Sequence, residues 1–236
     1  MAHTFSGSGP GVQTPDGCSV SLYRQMPYMD ELRDIECALQ MHSTALELGC
    51  GTGRLCARLL ELGLKVTGVD ESDEMLAHLP EGVEGVRSSI EQLNLGTRWS
   101  AVLLPSHLIN HPDVGLRGKF VAAARRHVAS AGIFFVKRHN PSWLATVQNG
   151  RIGESNGVTY HAEQVERAGN RVTMTLRYDA FGQSWTQSFS TVSLSETEVE
   201  EVLHQHGFGR FEWLGRERLW ASASASAALY LPKEGP

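Results

Sequence analysis

T-A-L-E-L-G-C-G-T-G-R-L-C-A-R-L-L-E-L-G-L-K-V-T-G-V-D, residues 44–70, decides how this chain folds. Thr44–Leu48 is a short apolar run of the kind that forms a buried parallel strand. Gly49, Gly51 and Gly53 follow as a G-x-G-x-G turn. Leu55, Leu59, Leu60 and Leu62 then recur at helical spacing, and Gly63 stands where a helix C-terminus favours glycine. Lys65–Val69 reads as a second strand that ends on Asp70. The order is strand, glycine turn, helix, strand, acid.

Each part of this unit has a physical reason. Glycine takes positive φ and lets the backbone approach a ligand closely. An acid closing the second strand can accept bonds from both hydroxyls of a ribose. The unit is thus the first half of a nucleotide-binding sheet. A dinucleotide site spaces its glycines G-x-G-x-x-G, so that a helix N-terminus meets a pyrophosphate, and here the third glycine comes one residue early. Glu47 stands two residues before Gly49, where a carboxylate repels a pyrophosphate and suits a ligand with cationic groups. S-adenosylmethionine has a sulfonium and an ammonium, and no phosphate.

E-L-G-C-G-T-G-R from Glu47, followed by V-D-E-S-D-E-M-L from Val69, resembles motif I and its sequel in class I S-adenosylmethionine-dependent methyltransferases. The resemblance is strongest over residues 44–76 and extends more loosely through Arg138. It implies an α/β fold: a Rossmann-like seven-stranded, mostly parallel sheet with helices on both faces. It implies S-adenosyl-L-methionine as cofactor, with Gly49, Gly51 and Gly53 making room and Glu47 facing the cationic end. It puts Asp70, with Glu71 beside it, on the ribose, and Pro105 at the cofactor edge of the fourth strand. Ser89 stands where an acid commonly bonds adenine, and Ile90 takes the place of the apolar neighbour on the ring. Two other readings stay open: a non-catalytic module that binds the cofactor and partners another chain, and a nicotinamide oxidoreductase.

Length and composition set the bounds. At 236 residues the chain is one domain with room for a small insertion. No apolar run approaches the length of a membrane span, and the N-terminus lacks the charged-then-apolar pattern of a signal peptide. The expectation is a cytoplasmic protein that does not bind membranes, monomeric or homodimeric. A net charge of −5 disfavours broad contact with a nucleic acid backbone. The four cysteines, Cys18, Cys37, Cys50 and Cys56, include no C-x-x-C pair. They read as small buried thiols, with no metal site.

The remaining chain falls into four segments. Residues 1–40 carry a Gly/Ser-rich start, expected to be mobile, and a Thr14–Gly17 turn. An amphipathic helix is expected over Tyr28–Leu39, striped by Met29, Leu32, Ile35 and Leu39. The resemblance lays this segment over the cofactor, with Tyr23 and Tyr28 covering its methionine end. Residues 41–140 alternate strand and helix five times, which predicts a right-handed parallel sheet. Residues 141–193 hold three period-2 stretches, Val158–Val165, Arg171–Ala180 and Trp185–Val192, read as a small antiparallel insertion after the fifth strand, on the substrate side. Residues 194–236 open on the capping box Ser195–Glu198 and close with two strands.

Ligands of an open α/β sheet lie beyond the carboxyl ends of its strands. That rule selects 49–53, 70–72, 105–111 and 137–143. Methyl transfer asks the protein to hold a nucleophile in line and, for some acceptors, to take a proton. His107, His111 and His139 are the titratable groups at this edge. Four residues apart, His107 and His111 would share a face if a helical turn joined them. His107, with His111 and Tyr23, is the candidate catalytic set, and Asn110 is a candidate to orient an amine or carbonyl. The loop lacks the N-P-P-Y or D-P-P-Y run expected of methyltransferases acting on nucleic acid bases. S-H-L-I-N-H-P-D and T-P-D-G-C are instead similar to bacterial small-molecule methyltransferases of secondary metabolism. Trp143, Tyr160, Phe181 and Trp185 are candidates for an aromatic wall. The reading is methyl transfer to N, C or O of a small, aromatic or indole-like acceptor.

Overall fold

Thr44–Leu48 is a strand buried on both faces, with Ala45, Leu46 and Leu48 at 0 % exposure, as the centre of a parallel sheet requires. The computed structural model describes residues 5–225. The unit built on this strand runs β2 (Thr44–Leu48), α3 (Arg54–Glu61), β3 (Lys65–Asp70), α4 (Asp73–Leu76), β4 (Val83–Arg87), β5 (Trp99–Leu104), α5 (Val114–His127) and β6 (Val128–Lys137). It is preceded by β1 (Ser6–Ser8), α1 (Val20–Gln25) and α2 (Glu36–Leu39). After it come α6 (Pro141–Thr146), β7 (Gly150–Ser155), β8 (Val158–Ala168), β9 (Arg171–Ala180), β10 (Gln183–Val192), α7 (Glu196–Gln205), β11 (Phe208–Leu214) and β12 (Trp220–Ala225).

Among the described residues the strands form two sheets. The larger has the order β11-β12-β6-β5-β2-β3-β4. β4, β3, β2, β5 and β6 are parallel, and β12 and β11 join antiparallel. The chain runs outward from β2 to β4, then returns to β5 on the other side of β2. The strand order therefore reverses between β2 and β5, and the crevice above that reversal is where such sheets bind ligands. One face buries Val102, Leu104, Phe134 and Val136 under α5 and α7. The other buries Ala101, Leu103 and Phe135 under α3 and the segment around Leu32, Ile35 and Leu39.

The helices start where the sequence supplies an oxygen for their free N–H groups. Ser72, Asp113 and Asn140 cap α4, α5 and α6, and Ser195 with Glu198 forms the full capping box of α7. The smaller sheet is antiparallel, in the order β1-β10-β9-β8-β7. α1 packs on it through Leu22 and Met26 against Tyr178 and Trp185, and α6 through Leu144 against Ala162 and Val172.

Several expectations need correcting. The expected helix over Tyr28–Leu39 contracts to Glu36–Leu39. Asp30 is left-handed at φ 58, and side chains take the bonds that a helical ladder would have made. The Tyr28 hydroxyl accepts from the Leu32 N–H at 3.0 Å, and Glu31 Oε2 from the Met29 N–H at 2.8 Å. Leu32, Ile35 and Leu39 are still 0 % exposed, so the burial was legible although the backbone was not. The Gly/Ser-rich start is not free throughout, because Ser6–Ser8 is an edge strand on β10. The insertion gains β7 and β1 beside the three expected strands. Cys37 is exposed rather than buried. One expectation holds as far as the structure reaches: the run of alternating Ala and Ser at 221–228, read from the sequence as a strand of small residues, is strand through Ala225, and 226–228 lie outside the described residues.

Candidate active site

The glycine turn is held by the ends of the strands beneath it. The N–H groups of Gly49 and Cys50 both donate to the Val69 carbonyl, at 2.8 and 2.9 Å. Asp70 Oδ2 accepts from the Gly51 N–H at 2.8 Å and Oδ1 from the Ser72 N–H at 3.0 Å. Burial raises the Asp70 carboxyl from its ordinary value, and these two bonds oppose the rise. Gly49 has φ 75, and a Cβ on it would lie 2.9 Å from Leu108 Cδ1. Only glycine fits there without moving that neighbour. Ile90 is also within reach, with Cδ1 3.7 Å from the same point.

The turn fits an adenosine compound without phosphates. Asp16, on the N-terminal turn, is close enough to raise both Asp70 and Glu71, each already raised by burial. Three carboxylates at this edge oppose a pyrophosphate. Ser89 precedes the single 3₁₀ turn Ile90–Gln92, and its Oγ is buried with no hydrogen-bond partner. A buried hydroxyl without a partner is costly unless a ligand or water completes it. Ile90 is buried beside it.

Glu47 does not face the ligand side as expected. It is 2 % exposed and sits under the turn, where its Oε2 accepts from Cys56 Sγ at 2.9 Å. Burial pushes its carboxyl up to about 8, against the lowering effect of that thiol. Pro105 is at the edge of β5, but its carbonyl accepts from the Leu108 N–H at 3.3 Å inside the loop.

That loop departs most from the sequence-based reading. Ser106 and His107 are both left-handed, at φ 56 and 61, and a 3₁₀ turn runs over Leu108–Asn110. His107 and His111 therefore do not share a helical face. The His107 ring stacks on His139 at 3.9 Å between centroids, and His139 stacks on Trp143 at 6.0 Å. The His111 ring stacks on Phe5 at 5.4 Å, and its Nδ1 accepts from the Asp113 N–H at 3.1 Å. His111 is thus engaged away from the histidine pair. Two successive left-handed residues without glycine are strained, and here they turn His107 toward the end of β6.

Burial holds His107 well below the ordinary imidazole value, with His139 and then Lys137 adding to the effect. Burial and Lys137 lower His139 to about 3. Burial thus favours the uncharged form of both rings. His107 Nδ1 is buried with no hydrogen-bond partner. Asn110 is not free to orient a ligand. It is 0 % exposed, its Nδ2 donates to the Val192 carbonyl at 2.7 Å, and its Oδ1 accepts from the His139 N–H at 2.9 Å.

A cleft of about 300 Å³ opens beside the turn, lined among others by Tyr23, Tyr28, Gly53 and Arg54. The Tyr23 hydroxyl meets Cys18 Sγ at 3.7 Å. Arg54 is ion-paired with Glu31. Of the four aromatics expected to form a wall, Trp143 backs His139, and Tyr160 packs on Tyr178 with its hydroxyl 3.4 Å from Met29 Sδ. Trp185 is instead buried against the N-terminal segment, and Phe181 is 50 % exposed at a hairpin turn. Sequence reasoning missed Leu108 and Lys137. The carboxyl-edge rule reaches 137–143, but no periodic or motif signal marks Lys137 within it.

Comparison with known proteins fits this geometry. Residues 45–132 match the family model for a methyltransferase domain. YqeM of Bacillus subtilis (strain 168), a protein named as a methyltransferase, is 40 % identical over 62 residues, which are 26 % of this chain. The match spans a quarter (25 %) of the length of that relative. The fold is that of the sugar N-methyltransferase KedS8 from Streptoalloteichus sp ATCC 53650, with a TM-score of 0.69 at 20 % identity over 88 % of this chain and 92 % of that one. It is also similar to S-adenosylmethionine-bound CalS10, an amino pentose methyltransferase from Micromonospora echinaspora. There the TM-score is 0.66 at 20 % identity, over 87 % of this chain and 95 % of that one.

Proposed function

We propose, for a chain that carries a methyltransferase domain at residues 45–132, that it transfers the methyl group of S-adenosylmethionine to a nitrogen of a small-molecule acceptor. The observation that carries this reading is the His107–His139 stack at the carboxyl edge of β5 and β6, with His107 Nδ1 buried and unpartnered. The neighbours named above act on amino sugars or sugars by their own names, and this agrees with a nitrogen acceptor.

When bound, the cofactor supplies an electrophilic methyl group on its sulfonium. Gly49, Gly51 and Gly53 leave the space it needs, Asp70 holds its ribose, and Ser89 and Ile90 hold its adenine. Asp70 has a second task, because it also fixes the Gly51 and Ser72 N–H groups. An acceptor amine must be uncharged to attack, and it loses a proton once it has gained a methyl group. Uncharged imidazoles at this buried edge do both things: they favour the uncharged amine, and they offer a lone pair to its proton. His107 receives that proton, while His139 and Trp143 hold its ring in place. Tyr23 covers the cleft, and the insertion sheet closes the acceptor side.

The test is S-adenosylhomocysteine release by the full chain with panels of amines, phenols and indoles. Turnover confined to phenols would overturn the nitrogen assignment. Asp70→Ala weakens cofactor binding by roughly 1–3 kcal/mol through lost charged hydrogen bonds. His107→Ala lowers turnover and leaves cofactor affinity nearly intact. If both variants lose the same quantity, the division of roles is wrong.

A further inference from the structure

Lys137 is the last residue of β6, at the carboxyl edge of the sheet. Strand alternation puts its side chain on the same side as Phe135, above the α3 face. Its Nζ lies 5.6 Å from the ring centroid of Trp220, its partner across the sheet. Lys137 disfavours protonation of both His107 and His139, so its charge is felt at the histidine pair.

Three arginines near this edge have partners. Arg54 is paired with Glu31, and Arg58 holds Glu36 at 2.8 Å. Arg138 donates to the Leu194 carbonyl at 2.7 Å and reaches Glu196 at 3.3 Å. The Lys137 ammonium makes no hydrogen bond and no ion pair with any described residue, and its contact is the face of the Trp220 ring. Asp34 and Arg54 act on it only electrostatically, with opposite sign, and burial holds its ammonium below the ordinary lysine value. A half-buried ammonium whose contact is the face of the Trp220 ring, with no anion or hydrogen-bond acceptor beside it, is unfavourable unless something completes it.

We propose that Lys137 is the docking cation for a carboxylate carried by the methyl acceptor. One uncompensated charge balances a monoanion. A phosphate dianion would keep an unpaired charge at a sheet edge that also carries the mutually interacting Asp16, Asp70 and Glu71. The pairing would fix the acceptor by one end and bring its amine beside His107. It rests on the methyltransferase reading for the word acceptor, but the anion site can be tested without turnover.

The experiment uses the full chain saturated with S-adenosylhomocysteine, with sodium acetate and inorganic phosphate titrated at constant ionic strength against a chloride control. The reporter is the indole N–H resonance of Trp220, whose Nε1 donates to the Glu31 carbonyl at 3.0 Å. Acetate is expected to shift it saturably in the wild type and not in Lys137→Met, with Lys137→Arg recovering at least half of the shift. No saturable shift in the wild type, an unchanged shift in Lys137→Met, or a response to phosphate alone would each overturn the proposal. With matched amine acceptors that differ as carboxylate or amide, Lys137→Met should raise KM for the carboxylate at least tenfold. The amide and cofactor affinity should stay unmoved. A purely structural Lys137 would lower Tm and leave the acetate response intact. Cofactor binding without turnover of any acceptor would sink the methyltransferase reading, while the acetate result would still decide the anion site.

Discussion

Glu47 shows how far one residue's role depends on what surrounds it. Two positions before a glycine turn, a carboxylate suggests a cationic ligand, yet its neighbours are the Cys56 thiol and the sheet interior. A carboxyl raised from 4.5 to about 8 favours the folded state most when protonated. Its contribution is fully present below the unfolded value and is lost as the pH climbs from about 4.5 through about 8. Glu47→Gln removes the titration and keeps the shape. The gap in stability between the variant and the wild type should widen by on the order of a few kcal/mol from pH 5 to pH 8.5. Urea denaturation across that range checks it, and parallel curves for the two proteins would show that Glu47 is already ionised in the fold.

At the scale of an element, the loop between Pro105 and Asp113 does two jobs. Its left-handed pair aims His107, and its 3₁₀ turn seats Asn110 where three parts of the chain meet. Asn110 ties the loop to the end of β6 through His139 and to β10 through Val192, and its own carbonyl accepts from Thr191 Oγ1 at 3.2 Å. Asn110→Ala strands a buried N–H and a buried carbonyl, at a cost of roughly 2–4 kcal/mol. Hydrogen exchange should then quicken in β10 and at His139 before it does in β2 or β3. Uniform exchange throughout would mean that Asn110 only fills space. The Tyr28–Leu39 segment makes the complementary point, since its apolar spacing survived when the helix itself did not.

Across the whole molecule, the two sheets are joined by the N-terminal segment and by the polar bonds of Asn110 to Thr191 and Val192. Trp185 Nε1 donates to the Pro10 carbonyl at 3.0 Å and to Ser21 Oγ at 3.1 Å. The segment that carries Asp16 and Tyr23 toward the cleft is therefore pinned to the insertion sheet. Trp185→Phe keeps most of the buried ring and removes both bonds, costing about 1–2 kcal/mol. Cofactor affinity is expected to fall severalfold as Pro10–Val20 gains freedom, read by calorimetry beside hydrogen exchange. Unchanged affinity with faster exchange would separate the segment from the cofactor site.

The sequence by itself determined the parallel core. β2 and β3 stand on the residues their apolar runs marked, and the glycine turn, Asp70 and the Ser195 capping box are local features set by backbone sterics and nearby hydrogen bonds. Only the tertiary structure decided which histidine meets which. His107 and His139 are brought together by strained dihedrals and a shared sheet edge, and neither leaves a periodic trace. The same holds for Lys137, whose lack of an ion-pair partner depends on every other charge around it. Local chemistry repeats at spacings that can be read along a chain, whereas contacts between distant residues follow from how whole surfaces pack.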